Sequence, residues 1–208
     1  MKMLKRLAAA AVAASLSAML FAGCIKYETP AEQTYPTAED QLSGLHHVEI
    51  EVEDYGTISV ELDADTAPRT VTNFINLARS GFYNGLTFHR IISGFMIQGG
   101  DPLGTGMGGS DEEIIGEFSA NGIENNISHV RGVISMARNG QSYNSASSQF
   151  FIVHEDSTFL DGDYAGFGHV TDGMDIVDRI CEDVPVTDDN GTVLPENQPV
   201  ITEVRVID

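Results

Sequence analysis

The stretch Phe88–Asp101, FHRIISGFMIQGGD, sets a single arginine, Arg90, among Phe88, Phe95, Met96 and Ile97, with Gln98 two residues beyond Met96. Residues two apart on a strand share a face, so the Gln98 amide lies beside the apolar Met96. The same grammar recurs in SQFFI, Ser148–Ile152, where Gln149 and Phe151 take one face and Phe150 and Ile152 the other. One face is polar and aromatic, the other purely apolar. Two readings fit these residues by themselves. One is a β core burying an ion-paired arginine; the other is a pocket where an arginine and an amide border an apolar floor.

Working outward, Val48, Ile50 and Val52 alternate with Glu49, Glu51 and Glu53, and Ile58, Val60 and Leu62 resume the alternation after Asp54-Tyr55-Gly56. That pattern predicts a hairpin with one buried face. A helix follows, with Asp65 or Thr66 as its cap, Pro68 in its first turn, and Val71, Phe74, Ile75 and Ala78 on one stripe. Gly81 supplies the stop. A second short helix is predicted over Met174–Cys181 with Ile176, Val177 and Ile180 inward. Phe150–Val153, Phe167–Val170 and Val200–Ile207 read as further strands. Many short strands and two helices point to a mainly β, closed and mostly antiparallel barrel whose ends the helices plug. Periodicity does not choose among barrel families.

Four motifs narrow the choice. FHRIISGFMIQGGD, ISMARN (Ile134–Asn139), SSQFFI (Ser147–Ile152) and FLDGDYAGFGHV (Phe159–Val170) stand in the order and spacing of the cyclophilin family, which the chain resembles from His46 to Asp208. The resemblance implies a closed eight-stranded antiparallel β-barrel capped by two α-helices, with a peptide groove on its outer surface and peptidyl-prolyl cis/trans isomerase activity. It assigns catalysis to Arg90, Gln98 and Phe95, with Gln98 positioning arginine and substrate. Phe95, Met96, Phe151 and Leu160 match the pocket for the substrate proline ring. Ala137, Arg138 and Asn139 match the segment that pairs with the peptide backbone, and Gly106 and Gln149 the neighbouring pocket for the residue before proline. Arg138 stands where members often carry Asn, which leaves its side chain without an implied role. Phe159 stands where many eukaryotic members carry Trp, and Tyr164, walling the pocket, where they carry His. Phe159 has no indole N–H to donate, which implies weak cyclosporin binding.

The implied reaction suits this inventory. Amide resonance imposes a barrier of about 18–20 kcal/mol on rotation, and no bond breaks. Neither nucleophile, acid–base pair, metal nor cofactor is called for. Twisting the amide gives the proline nitrogen a lone pair, which a guanidinium in a dry pocket stabilises over either planar state. Arginine keeps its charge in such surroundings where lysine readily loses it.

The chain of 208 residues carries 31 Asp and Glu against 11 Lys and Arg, a net charge of −20. That excludes a basic footprint for nucleic acid. Three of its cations, Lys2, Lys5 and Arg6, precede the apolar run Leu7–Ala22. Sixteen helical residues span about 24 Å, short of a hydrocarbon core of roughly 30 Å, so an export signal is favoured over a membrane-spanning anchor. Leu20-Phe21-Ala22-Gly23-Cys24 resembles the lipobox of bacterial lipoproteins, apart from Phe21 where an aliphatic residue is usual. The organisation expected is therefore a signal peptide over residues 1–23, a lipidated Cys24 with a flexible tether over 24–45, and the isomerase domain over 46–208. The domain is expected to be a monomer, held outside the cytoplasm at the cell envelope by its lipid, acting on proline-containing exported or envelope proteins.

With Cys24 lipidated, Cys181 is left single, a small buried hydrophobe in an apolar stretch. No Cys/His spacing suggests zinc. Gly104-Thr105-Gly106-Met107-Gly108-Gly109 fits G-x-G-x-x-G, but Pro102 precedes it and Ser110-Asp111-Glu112-Glu113 follows, acidic where a dinucleotide site needs a helix N-terminus. Two other classes stay open: a non-catalytic proline-peptide binding module or chaperone, and a structural envelope lipoprotein. The first would keep the pocket and lose Arg90; the second needs no pocket.

Overall fold

The computed structural model describes residues 40–208. The expected signal peptide and residues 24–39 of the expected tether, Cys24 included, lie outside them. Strand β1 (Leu45–Val52) and β2 (Gly56–Asp63) form the expected hairpin, paired from Leu45↔Asp63 to Val52↔Gly56. Helix α1 (Pro68–Arg79) follows, then β3 (Thr87–Ile92), β4 (Met96–Asp101), β5 (Val133–Met136), β6 (Phe150–Val153), β7 (Gly166–Asp172), α2 (Met174–Asp183) and β8 (Ile201–Val206). Ordered contacts begin inside the stretch read as tether. The Leu42 N–H donates to Thr72 Oγ1 at 2.8 Å and the Gly44 N–H to Asp65 Oδ1 at 2.7 Å.

The strands form one antiparallel sheet in the order β3-β4-β6-β5-β7-β2-β1-β8. This corrects the closed barrel expected from the sequence: the ladder is open, a curled half-barrel whose edges are β3 and β8. The two edges meet at the isolated bridge Thr87↔Val200 and through the Phe88 N–H on Pro199 O at 3.0 Å. Beyond Phe88 another segment takes the β3 edge. The connection after α2 lies along it, with Ile91 N–H on Gly191 O at 2.8 Å and Val193 N–H on His89 O at 3.1 Å. A covered edge satisfies its backbone without a neighbouring strand.

Helix α1 buries Val71, Phe74, Ile75 and Ala78, as its stripe predicts, and packs on β8 and β2. Its cap differs from expectation. Neither Asp65 nor Thr66 caps it. The Asp63 carboxylate accepts both their N–H groups, at 3.0 and 2.9 Å. Glu117, buried, accepts the Arg69 and Thr70 N–H groups at 3.1 and 2.9 Å and the Thr70 hydroxyl at 2.7 Å. A carboxylate at a helix N-terminus meets the unpaired N–H groups and the positive end of the dipole. At the other end Gly81, with φ +74°, lets Phe82 N–H reach Leu77 O at 3.0 Å.

The core joins α1 to the inner face of the sheet. Phe74 touches Tyr83, Phe150 and Phe167 with ring centroids 5.0, 5.5 and 5.3 Å apart. All four are fully buried, and burying each such ring contributes about 1.5–3 kcal/mol. Helix α2 runs two residues past its predicted end, buries Ile176, Val177 and Ile180, and packs on β2. Cys181 is half-buried against this core, and burial pushes its thiol up to about 12.

Candidate active site

Strict alternation would put Phe88 and Arg90 on one face of β3. The structure separates them with a β-bulge: Phe88 pairs with Gly99 and Arg90 with Gln98, so His89 is the extra residue. Phe88 and Ile91, three apart, therefore both point into the core, and Arg90 turns to the outer face opposite Gln98. Re-aiming one side chain is what a bulge does.

Arg90 is then held at two points. Its Nε donates to the carbonyl of Asn190 at 2.8 Å and its Nη1 to Gln98 Oε1 at 3.1 Å. The chain of bonds continues: Gln98 Nε2 donates to Gln149 Oε1 at 2.9 Å, and Gln149 Nε2 to Gly108 O at 2.7 Å. Burial lowers the pKa of the Arg90 guanidinium from its ordinary value, while the neighbouring Tyr164 and Asp188 oppose that shift.

Two neighbouring cavities flank this chain. The first, about 310 Å³, is floored by Met96, Phe151 and Leu160, with Arg90, Phe95, Phe159 and Tyr164 around it. Its floor is dry, the three being 1, 5 and 8% exposed. The Phe95 ring meets Phe159 at 5.5 Å, and Tyr164 meets Phe151 edge-on at 6.1 Å. The second, about 350 Å³, is lined by Gly106, Asn139 and Gln149 together with Met107, Glu113 and Ser147. Gln98, Ala137 and Arg138 line both. Every site residue expected of the body thus falls at one cavity or the other. Met96 and Gln98 share a face as predicted, and so do Gln149 and Phe151.

Beneath the first cavity lies a buried histidine that sequence reading did not single out. His129 bonds Asp161 Oδ1 through Nδ1 and Ser135 Oγ through Nε2, both at 2.9 Å, and its ring stacks on Phe151 at 6.0 Å. Asp161 directly follows Leu160, so the imidazole ties one floor residue to the strand behind another. Burial lowers the His129 pKa against the pull of Asp161. Under the second cavity, the glycine-rich loop winds around a carboxylate of its own. Asp101 accepts the N–H groups of Leu103, Thr105 and Gly106 at 2.8, 2.9 and 2.5 Å. Burial works to raise its pKa, and these backbone bonds together bring it below the ordinary range. The amides that G-x-G-x-x-G would offer a phosphate are thus taken.

Asn190, Phe118 and Tyr143, absent from the sequence reading, lie in loops, where neither periodicity nor a motif marks them; Gly108 and Glu113 enter that reading only within and beside the G-x-G-x-x-G stretch. The polar stretch Glu182–Pro199 supplies the carbonyl that orients Arg90.

A curled antiparallel sheet with an arginine, an amide and an apolar cavity on its outer face defines a cyclophilin-class protein. Residues 47–206 match the sequence model of the cyclophilin type peptidyl-prolyl cis-trans isomerase/CLD family. The chain belongs to this family and is a peptidyl-prolyl cis-trans isomerase. It is 49% identical over 126 residues to peptidyl-prolyl cis-trans isomerase-like 1 of Rhizopus delemar, covering 60% of this chain and 74% of that one. The peptidyl-prolyl cis-trans isomerase of Helicobacter pylori is 41% identical over 150 residues, 71% of this chain and 88% of its own. Among solved structures, a cyclophilin type peptidyl-prolyl cis-trans isomerase of Cryptosporidium parvum superposes with a TM-score of 0.70 at 32% identity, over 79% of this chain and 99% of that one. The same protein in the presence of the dipeptide Ala-Pro gives 0.68 at 31%, over 78% and 99%.

Proposed function

We propose that Arg90 carries the isomerisation by donating to the proline nitrogen as the amide twists, while the Met96–Phe151–Leu160 floor holds the ring. The observation that carries this reading is the two-point anchoring of Arg90 at the mouth of a dry cavity. With Nε on Asn190 and Nη1 on Gln98, the fork is fixed before substrate arrives, and its remaining donors border the cavity. Donors oriented in advance stabilise developing charge without reorganising at the moment of reaction. Rotation needs the ring fixed and the acyl side free, which a ring-sized apolar floor beside an open second cavity provides. Binding of Ala-Pro-like segments agrees with the likeness to the Cryptosporidium protein studied with that dipeptide.

Replacing Arg90 by Ala is expected to lower kcat/KM in a protease-coupled proline-peptide assay by about 100-fold or more, with an unchanged melting profile. Full activity in that variant refutes the reading. The N-terminal sequence supports a second part of the proposal: the mature protein starts at a lipidated Cys24, and its clients are exported or envelope polypeptides. Mass spectrometry of the mature N-terminus tests this, and an unmodified cysteine or an intact residue 1–23 segment overturns it.

A further inference from the structure

The side chain of Arg138 forms a clamp at the junction of the two cavities. Its guanidinium carbon lies 4.7 Å from the ring centre of Tyr164, 5.0 Å from Tyr143 and 5.4 Å from Phe118. Nε donates to the carbonyl of Asp163 at 2.9 Å and Nη1 to that of Asn139 at 3.0 Å. One planar cation thus gathers the Phe118 segment, the Asn139–Tyr143 loop and the Asp163–Tyr164 turn. Tyr164 depends on it most. Among the described residues the Tyr164 hydroxyl has no hydrogen-bond partner, and its ring is held by the edge contact with Phe151 and by the stack on Arg138. Tyr164 walls the first cavity, which Arg90 also lines.

We propose that Arg138 is a positioning residue for proline binding, acting through Tyr164: the guanidinium fixes the ring as one wall of the first cavity. The inference rests on the reading of that cavity as the proline site. A guanidinium suits the task because it stacks flat on aromatic rings while its edge bonds carbonyls. An ammonium gives neither the flat stack nor the paired edge bonds. Since Arg138 does not touch the rotating amide in this account, its loss acts on substrate binding and leaves turnover largely alone.

A double-variant cycle tests this. KM and kcat for a proline tetrapeptide are measured for the wild type, Arg138→Ala, Tyr164→Ala and the pair, with melting curves for each. Arg138→Ala is expected to raise KM about fivefold and change kcat less than about twofold. Tyr164→Ala raises KM at least as much. The pair is expected to be no worse than Tyr164→Ala, because a residue acting through a partner has nothing left to position once that partner is gone. Arg138→Lys should behave like Arg138→Ala. Independent, multiplying effects of the two alanines overturn the proposal, as does a wild-type KM in Arg138→Ala or Arg138→Lys. Should Arg138→Ala melt below the assay temperature, the cycle is read with Arg138→Lys. Repeating it as calorimetric peptide binding in an Arg90→Ala background separates the two ideas. The coupling survives there even if Arg90 proves not to drive the reaction, and vanishes only if Arg138 does not hold Tyr164.

Discussion

The two cavities meet at Gln98, Ala137 and Arg138, yet they are built from different material. The first is floored by residues of β4 and β6 and by Leu160, which is fixed from below through Asp161 and His129. The second is walled by the loop around Gly106–Ser110 and by the Asn139–Ser147 segment, with Met107 85% exposed at its rim. Strand residues cannot move without breaking ladder bonds; loop residues are held by turns and side chains. Under the proposed mechanism the contrast divides labour: Arg90, Met96 and Phe151, whose geometry would have to stay fixed, sit on the sheet, and the contacts that would choose among peptides sit on loops.

The strongest way to break this contrast is to damage the floor. Replacing Phe151 by Ala removes a ring that is 5% exposed and shares an apolar cluster with Met96, Val133, Val153 and Leu160. Such truncations cost about 3–5 kcal/mol in a closed core, and the open cavity above places this site at the lower end. The expected outcome is a clear drop in the urea midpoint together with a large rise in KM. A variant of unchanged stability and KM would show that the floor is not what fixes the ring. The matching change in the second cavity, at exposed Met107, should leave stability untouched.

The same contrast explains what the sequence made legible. Alternation located β1 and β2 because their buried faces repeat every second residue; β6 and β7 were read as short strands without it, and the α1 stripe was readable from its own helical period. The bulge at His89 was not. Alternation assigns Arg90 to the face of Phe88, and only the pairing of Arg90 with Gln98 shows otherwise. Nor does local sequence reveal that β3 lies along residues 191–193, which is why a closed ladder was expected. Glu117 caps a helix nearly fifty positions earlier in the chain, a partnership without any local signal. The expected site residues that line the two cavities were, Gly106 apart, nameable in advance because the family's motifs cover the strands and the Phe159–Tyr164 turn. Phe118, Tyr143 and Asn190 fall between the motifs, and they act through tertiary contacts alone.

A smaller effect sharpens the comparison through pH. His129 is buried and its folded pKa lies below the unfolded value of 6.5. The unfolded chain therefore binds more protons than the native one between those two values, and stability rises with pH across that window. The contribution is complete above about 6.5 and is lost as pH falls through the lowered folded value. His47, raised by its bond to Asp208, has the opposite sign: its contribution is present below 6.5 and lost as pH rises through the folded value. Comparing wild type with His129→Gln cancels that background. Urea midpoints at pH 7.5 and 5.5 should fall further for the wild type than for His129→Gln; parallel falls would remove His129 from the account. Peptide KM should weaken over the same range, because the ring supports Phe151 and, through Asp161, Leu160.

The smallest effect belongs to the second cavity. Its rim carries Glu113, exposed and in no ion pair among the described residues, on a protein whose net charge is −20. The cation it shares with the first cavity, Arg138, gives Nε to Asp163 and Nη1 to Asn139 and lies over the rings of Tyr164, Tyr143 and Phe118. A peptide carrying Lys where its chain crosses this cavity should therefore be isomerised faster than one carrying Glu, by about two- to fivefold in kcat/KM at low salt. Because Glu113 stands in solvent, the preference should shrink as salt shortens the screening length to about 8 Å at physiological strength. Glu113→Gln should narrow it further without changing turnover of an uncharged peptide. A preference that survives both high salt and Glu113→Gln would move the selectivity from this loop to some other part of the groove. Persistence in Glu113→Gln at low salt alone would assign it to the net field of the protein. Only the joint loss, with the first cavity's KM for the proline ring unchanged, fits a division in which the sheet holds the ring and the loops choose the chain.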